Sequence, residues 1–265
     1  MTLVQRFEDK IVLVTGSGRG IGSEIALQFA RSGADIIVNF FRNRQPAEKT
    51  AEQIRQLGRR CLVVKANVGN PQDLDRLFDT VQAEFGGLDI FISNAASGYN
   101  RPAMAQKVNG WDWTMNINAR AFLFGAQHAV PLMEARGGGA MVCISSPGSS
   151  RVIPDYIVVG ASKAALEAVT RYLAVELAAF NIAVNAVSPG VVLTEALQHF
   201  DLIKQEEAII ETAILNTPAG RLVTPQDIAA VVMFLCSPEA AMIRGQTIIV
   251  DGGYTLPMRQ LPNEE

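Results

Sequence analysis

Ile11-Val12-Leu13-Val14-Thr15-Gly16-Ser17-Gly18-Arg19-Gly20-Ile21-Gly22 decides the fold. Four consecutive apolar residues run directly into a turn in which every second residue is glycine. An unbroken apolar run is the pattern of a strand covered on both faces. Glycines are needed where the chain bends sharply and where its backbone must approach a diphosphate, and the amides at the start of a following helix favour that anion. The stretch therefore predicts a first strand, a phosphate-binding turn through Gly16, Ser17, Arg19, Gly20, Ile21 and Gly22, and a helix.

Downstream, the same alternation repeats. Apolar runs at Asp35-Ile36-Ile37-Val38, Leu62-Val63-Val64, Leu88-Asp89-Ile90-Phe91-Ile92, Met141-Val142-Cys143-Ile144, Ile182 to Val187 and Thr247-Ile248-Ile249-Val250 are separated by helical patterns such as Ala47 to Leu57, Leu74 to Glu84 and Ala164 to Ala179. Strands alternating with helices across short links build right-handed βαβ units and a parallel sheet. The expected fold is a single-domain, Rossmann-type, doubly wound α/β sheet of seven parallel strands, in the order 3-2-1-4-5-6 plus one. Gly137-Gly138-Gly139 reads as a helix-ending turn before a strand, and no second domain or repeat is visible in residues 1–265.

Composition narrows the function. With 49% hydrophobic and 18% charged residues the chain can bury a sizeable core. A net charge of −3 without basic runs argues against nucleic acid as a partner. Cys61, Cys143 and Cys236 are scattered and form no CxxC, so neither a metal site nor disulfides are expected. His128 and His199 lie in unrelated segments and read as structural. No signal-peptide pattern and no apolar run of about 20 residues is present, which predicts a cytoplasmic protein without a membrane span. The second strand ends in Val38-Asn39-Phe40-Phe41-Arg42 without the acid that holds an adenosine ribose in NAD-dependent relatives of this fold. Arg42 and Arg19 instead offer forked, charge-assisted hydrogen bonds to a 2′-phosphate, so NADPH is the expected cofactor.

The remaining motifs carry a resemblance. The glycine spacing Gly16-x3-Gly20-x-Gly22 differs from GxGxxG and matches TGxxxGxG. Asn67-Val68 follows the third strand, Ser93-Asn94-Ala95-Ala96 the fourth, Ser145-Ser146 the fifth, Ser188-Pro189-Gly190 with Val192 and Thr194 the sixth, and Asp251-Gly252-Gly253 the seventh. Asn118 stands in Asn116-Ile117-Asn118-Ala119, and Lys163 in Ala161-Ser162-Lys163-Ala164. In order and placement these resemble the short-chain dehydrogenase/reductase superfamily from about Lys10 to Gly253. The resemblance implies that Asn67, Val68, Asn94, Ala95, Pro189, Gly190, Val192 and Thr194 contact the cofactor. It implies catalysis by Lys163, Asn118, Ser146 and a tyrosine, with Asn118 helping to hold a water for proton relay. It also implies a substrate lid over residues 195–217, with an apolar side that includes Leu197, Phe200, Leu202, Ile203, Ile209, Ile210 and Leu215. Residues 256–265 read as a surface tail, and assembly as a homotetramer through the helices after the fourth and fifth strands is implied as well.

One departure narrows the chemistry. The superfamily places its tyrosine four residues before the lysine, where this chain has Val159, and the nearest tyrosine is Tyr156, seven before. On a helix both offsets return near one face, with the tyrosine moved roughly 4–5 Å along the axis at about 1.5 Å per residue. Hydride delivered to the β-carbon of an enoyl thioester needs its oxygen donor further from the nicotinamide than a ketone does. The Tyr-x6-Lys spacing resembles bacterial enoyl-acyl-carrier-protein reductases, and Trp111-Asp112-Trp113-Thr114-Met115-Asn116-Ile117-Asn118-Ala119 and Asn216-Thr217-Pro218-Ala219-Gly220-Arg221 resemble the FabL type. Ser188-Pro189-Gly190 and Val152 depart from that type, which has serine-glycine-glycine and a tyrosine there. The resemblance implies an NADPH-dependent enoyl reductase in fatty-acid biosynthesis acting on an acyl thioester, with acyl carrier protein or coenzyme A as the carrier. Lys163 would bind the nicotinamide ribose and lower the Tyr156 pKa. A 3-oxoacyl or other carbonyl reductase, and a non-catalytic NADP(H) sensor, are the competing readings.

Overall fold

The computed structural model describes residues 6–192 and 206–256. Seven parallel strands form one sheet: β1 (Ile11–Val14), β2 (Asp35–Phe40), β3 (Cys61–Lys65), β4 (Ile90–Ser93), β5 (Gly139–Ile144), β6 (Ile182–Pro189) and β7 (Thr247–Val250), in the order β3-β2-β1-β4-β5-β6-β7. The order anticipated from the sequence is the one observed. The chain winds outward from β1 through β2 to β3, then returns to β4 on the other side of β1, so the topological switch lies between β1 and β4. Register pairs Val14, the last residue of β1, with Val38 of β2 and with Ile92 of β4, so β2 and β4 both run past the end of β1.

Alternate strand residues explain why the runs are continuously apolar. Ile11 and Leu13 join one core with Leu74, Leu77 and Phe78 of α3 (Pro71–Phe85), Phe122 of α5 (Ala121–Glu134) and Leu166 and Leu173 of α6 (Ile157–Glu176). Val12 and Val14 join the opposite core with Ile25 and Phe29 of α1 (Gly20–Arg31), Ile54 of α2 (Arg44–Gln56) and Ile228, Val232 and Leu235 of α8 (Pro225–Leu235). Each face removes apolar area from water independently, and strands between two covered faces have no polar side to present.

α4 (Val108–Met115) runs into α5 through a π-helical turn, Asn116–Arg120. α7 (Glu206–Leu215) belongs to the segment expected to form the lid. Leu215, expected on its apolar side, is 86% exposed, while Ala213 is the buried residue of its last turn. Leu197, Phe200, Leu202, Ile203, Thr194 and His199 lie outside the described residues, as does the tail beyond Leu256. Asp251 closes the chain after β7 by accepting hydrogen bonds from the Gly253 and Thr255 amides at 2.8 Å each. No helix among the described residues is long and apolar enough to cross a membrane.

Candidate active site

Below the carboxyl end of β1 the glycine turn is held from several directions. Gly16 and Gly20 adopt left-handed φ of 64° and 59°, where an L side chain is strained. A Cβ on Gly22 would strike the Asn94 side-chain amide and lie 2.7 Å from the Gly16 carbonyl. Asn94 holds that turn, its Nδ2 donating to the Thr15 carbonyl at 2.9 Å and to the Gly16 carbonyl at 3.1 Å. The amides of Asn94 and Ala95 donate to Thr15 Oγ1 at 3.0 and 3.1 Å. The first turn of α1 contains no acidic residue, and Arg19 at its N-cap makes no side-chain capping bond. The leading amides of α1 are thus available to an anion.

Ser17 faces the protein interior. Its hydroxyl donates to the Val14 carbonyl at 2.6 Å and accepts from the Asn39 amide at 3.1 Å. Asn39, where the sequence offered only a missing acid, is buried and ties three strand ends together. Its Oδ1 accepts from the Gly16 amide at 3.2 Å, and its Nδ2 donates to the Ala66 carbonyl at 3.1 Å. Beyond it, Arg42 stands with its guanidinium carbon 5.9 Å from the ring centres of both Phe41 and Trp113. Asn67 closes the turn after β3 by accepting from the Gly69 amide at 3.1 Å, and Val68 is buried beside it. At the end of β6, Gly190 donates to the Val250 carbonyl at 2.8 Å, and a Cβ there would lie 2.8 Å from the Asp251 Cα. Val192 is buried in a parallel bridge with Val223.

Four candidate catalytic residues gather where β5 and α6 meet. Ser146 follows β5, and its Oγ lies 3.4 Å from the Tyr156 hydroxyl. Tyr156 does not sit within the helix, as the face argument requires. It is the N-cap of α6 with φ −103° and ψ 10°, one residue ahead of the first helical turn. The turn that sets it there includes Pro154 and Asp155, the latter at a left-handed φ of 59°. Its ring packs on Gly148, where a Cβ would lie 2.7 Å from the ring. Lys163 is buried and donates from Nζ to the Ile144 carbonyl at 2.6 Å. Asn118 projects from the π-helical turn. Its Nδ2 donates to the Ser97 carbonyl and to Ser162 Oγ, both at 2.9 Å, while its Oδ1 accepts from the Ser97 amide at 2.8 Å. Both of its N–H donors are committed, so Asn118 braces the loop after β4 instead of offering a donor to water. Sequence reasoning missed Ser97, Ser162 and Asn39. Their signal was limited to polar residues next to recognised motif positions.

Val159 fills the place four residues before Lys163. It is buried, and Gly98 closes so tightly on it that a Cβ on Gly98 would strike its side chain. The position usually occupied by the tyrosine is therefore sealed by the loop after β4.

The electrostatics correct one expectation. Burial raises the Tyr156 pKa above its ordinary value, and the Ser146 hydrogen bond pulls the other way. Lys163 was expected to lower it. Burial instead lowers Lys163 itself from 10.5 to about 8, with Cys143 and Glu167 opposing that fall. One N–H of the ammonium goes to the Ile144 carbonyl, which leaves two for a ligand, and the phenol stays a protonated donor. The Cys143 thiol is pushed up to about 12 by burial, which makes it inert.

A family model described as enoyl-(acyl carrier protein) reductase matches residues 16–255. The chain belongs to the short-chain dehydrogenase/reductase superfamily. It is an oxidoreductase of that superfamily and resembles reductases along nearly its whole length. It is 37% identical over 247 residues to the 1-cyclohexenylcarbonyl-CoA reductase of Streptomyces collinus, covering 93% of this chain and 87% of that protein. A 7α-hydroxysteroid dehydrogenase solved with NADH and a 7-oxo bile acid superposes with a TM-score of 0.89 at 33% identity, over 96% of this chain and 97% of that one. The L-sorbose reductase of Gluconobacter frateurii, solved with NADPH and L-sorbose, superposes with a TM-score of 0.87 at 30% identity, over 95% and 98%.

Proposed function

We propose that the protein uses NADPH to reduce the 2,3 double bond of an enoyl thioester, as FabL-type enoyl-acyl-carrier-protein reductases do. The observation that carries this reading is the paired fate of the two positions before Lys163: Val159 is sealed beneath Gly98, and Tyr156 stands at the N-cap of α6 with its hydroxyl against Ser146. The similarity to a 1-cyclohexenylcarbonyl-CoA reductase supports it, since that name describes a double bond conjugated with a thioester carbonyl.

The residues fit the cofactor. The uncapped first turn of α1 suits a diphosphate, and Arg42 stands after β2 where no acid competes for a 2′-phosphate. When bound, the reduced nicotinamide supplies a hydride to the β-carbon. Tyr156 donates its hydrogen bond to the thioester oxygen as enolate charge develops there, and the enolate then takes a proton from solvent at its α-carbon, which completes the reduction. Lys163 would hold the ribose hydroxyls with the ammonium N–H groups that it does not give to the Ile144 carbonyl. Asn118 fixes the β4 loop, and Ser146 orients the Tyr156 hydroxyl.

A second reading, reduction of a 3-oxoacyl thioester or another carbonyl, draws support from the Ser146–Tyr156 contact, because two hydroxyls side by side can share one ketone oxygen. NADPH oxidation followed at 340 nm with crotonyl and acetoacetyl thioesters separates the two. Turnover of crotonyl substrate is expected. Turnover of acetoacetyl alone makes the protein a ketoreductase, and no turnover with either leaves the sensor reading.

Assembly as a homotetramer through α5 and α6 is part of this proposal. Both helices expose large apolar side chains, Phe124 on α5 and Tyr172 and Val175 on α6. Light scattering is expected to give four times the 28.6 kDa chain mass, and a monomeric mass removes the assembly from the reading.

A further inference from the structure

Trp113 lies on α4, five residues ahead of Asn118, and is 36% exposed. Beyond its partial burial the ring is anchored by hydrogen bonding. Its Nε1 donates to Ser97 Oγ at 2.9 Å, and Ser97 is itself clamped through its amide and carbonyl by the Asn118 side chain at 2.8 and 2.9 Å. The anchored ring stands 5.9 Å from the guanidinium carbon of Arg42, on a loop that follows a different strand. Phe41 provides a second ring at the same distance. A long, exposed arginine otherwise spreads over many rotamers, and fixing it before an anion arrives reduces the entropy lost on binding.

We propose that Trp113 is a positioning residue for cofactor selectivity: it holds Arg42 where the adenosine 2′-phosphate of NADPH binds, and it is held in turn by Ser97 and Asn118. This rests on the cofactor reading above. A cation–π contact at an exposed site changes affinity by about two- to fivefold, and it acts only on the cofactor that carries the extra phosphate. Losing the guanidinium itself removes a charge-assisted hydrogen bond, so about tenfold or more is expected for Arg42→Ala.

The test is isothermal titration of NADPH and NADH, with no substrate, against the wild type, Arg42→Ala, Trp113→Leu and the Arg42→Ala/Trp113→Leu double variant. Trp113→Leu is expected to lower the NADPH-over-NADH affinity ratio about threefold, with NADH affinity unchanged. The double variant is expected to match Arg42→Ala, because the tryptophan acts through the arginine. Trp113→Gln serves the same purpose should leucine disturb folding, and Trp113→Phe, which keeps a ring, is expected to retain most of the ratio. An unchanged ratio in Trp113→Leu, or equal losses for both cofactors, overturns the role of Trp113 while leaving the Arg42 reading intact. An unchanged ratio in Arg42→Ala overturns both.

Discussion

Tyr156→Phe is expected to lower kcat for a crotonyl thioester by about 10²–10³-fold, the usual cost of removing one donor aimed at a developing oxyanion. The fall should appear equally in kcat and kcat/KM, with KM nearly unchanged, because the bond matters only once charge has built on the oxygen. Folding should be preserved. The ring packs on Gly148, and the hydroxyl makes a long 3.4 Å contact with Ser146, so phenylalanine retains the packing and loses the proton. Single-turnover kinetics with saturating NADPH would measure this. A loss smaller than about tenfold would mean that another group donates to the substrate oxygen and that Tyr156 merely fills space.

A second large effect belongs to Lys163. Lys163→Met is expected to cost about 10³-fold in kcat/KM, within the range seen when a charged catalytic group is removed. Its pH signature is more specific. Burial brings Lys163 down from 10.5 to about 8 in the ligand-free protein, the state whose ionisations kcat/KM for NADPH reports. Lysine carries its positive charge below its pKa, so kcat/KM should hold level below that value and decline as pH rises through about 8. Tyr156 cannot produce this limb, since burial raises its pKa above the ordinary 10.0. The limb should therefore persist in the residual activity of Tyr156→Phe. A profile flat to pH 10, or a limb that disappears with the tyrosine hydroxyl, would show that the charge on Lys163 is not used as described.

The sheet order and the phosphate turn could be read from the sequence because both are local. Strand-length apolar runs fix the elements, right-handed crossovers prune their order, and glycines at Gly16 and Gly20 mark backbone that few other residues can adopt. Tyr156 was found by spacing, but its environment was not. Whether a residue seven before a lysine lies in a helix or at its cap depends on the Pro154–Asp155 turn, and spacing alone does not resolve a boundary of one residue. The depressed Lys163 was illegible because burial is a property of the assembled core. The inward hydroxyl of Ser17 and the three-strand tie made by Asn39 were hidden for a related reason. A polar residue in a glycine-rich turn reads as ligand-facing until the strand ends are placed beside it.

The closure of Gly98 over Val159 bears on how such a protein can change its chemistry. A tyrosine at 159 would need the room that the β4 loop now takes. Moving that loop would pull Ser97 from Asn118 and from Trp113. A tyrosine placed at 159 alone would therefore meet a loop that is already in contact with the smaller valine. The two arrangements of the tyrosine are separated by a valley that only compensating substitutions in the loop and the helix can cross together. Descendants of this chain would be expected to diversify around the displaced tyrosine sooner than to return from it.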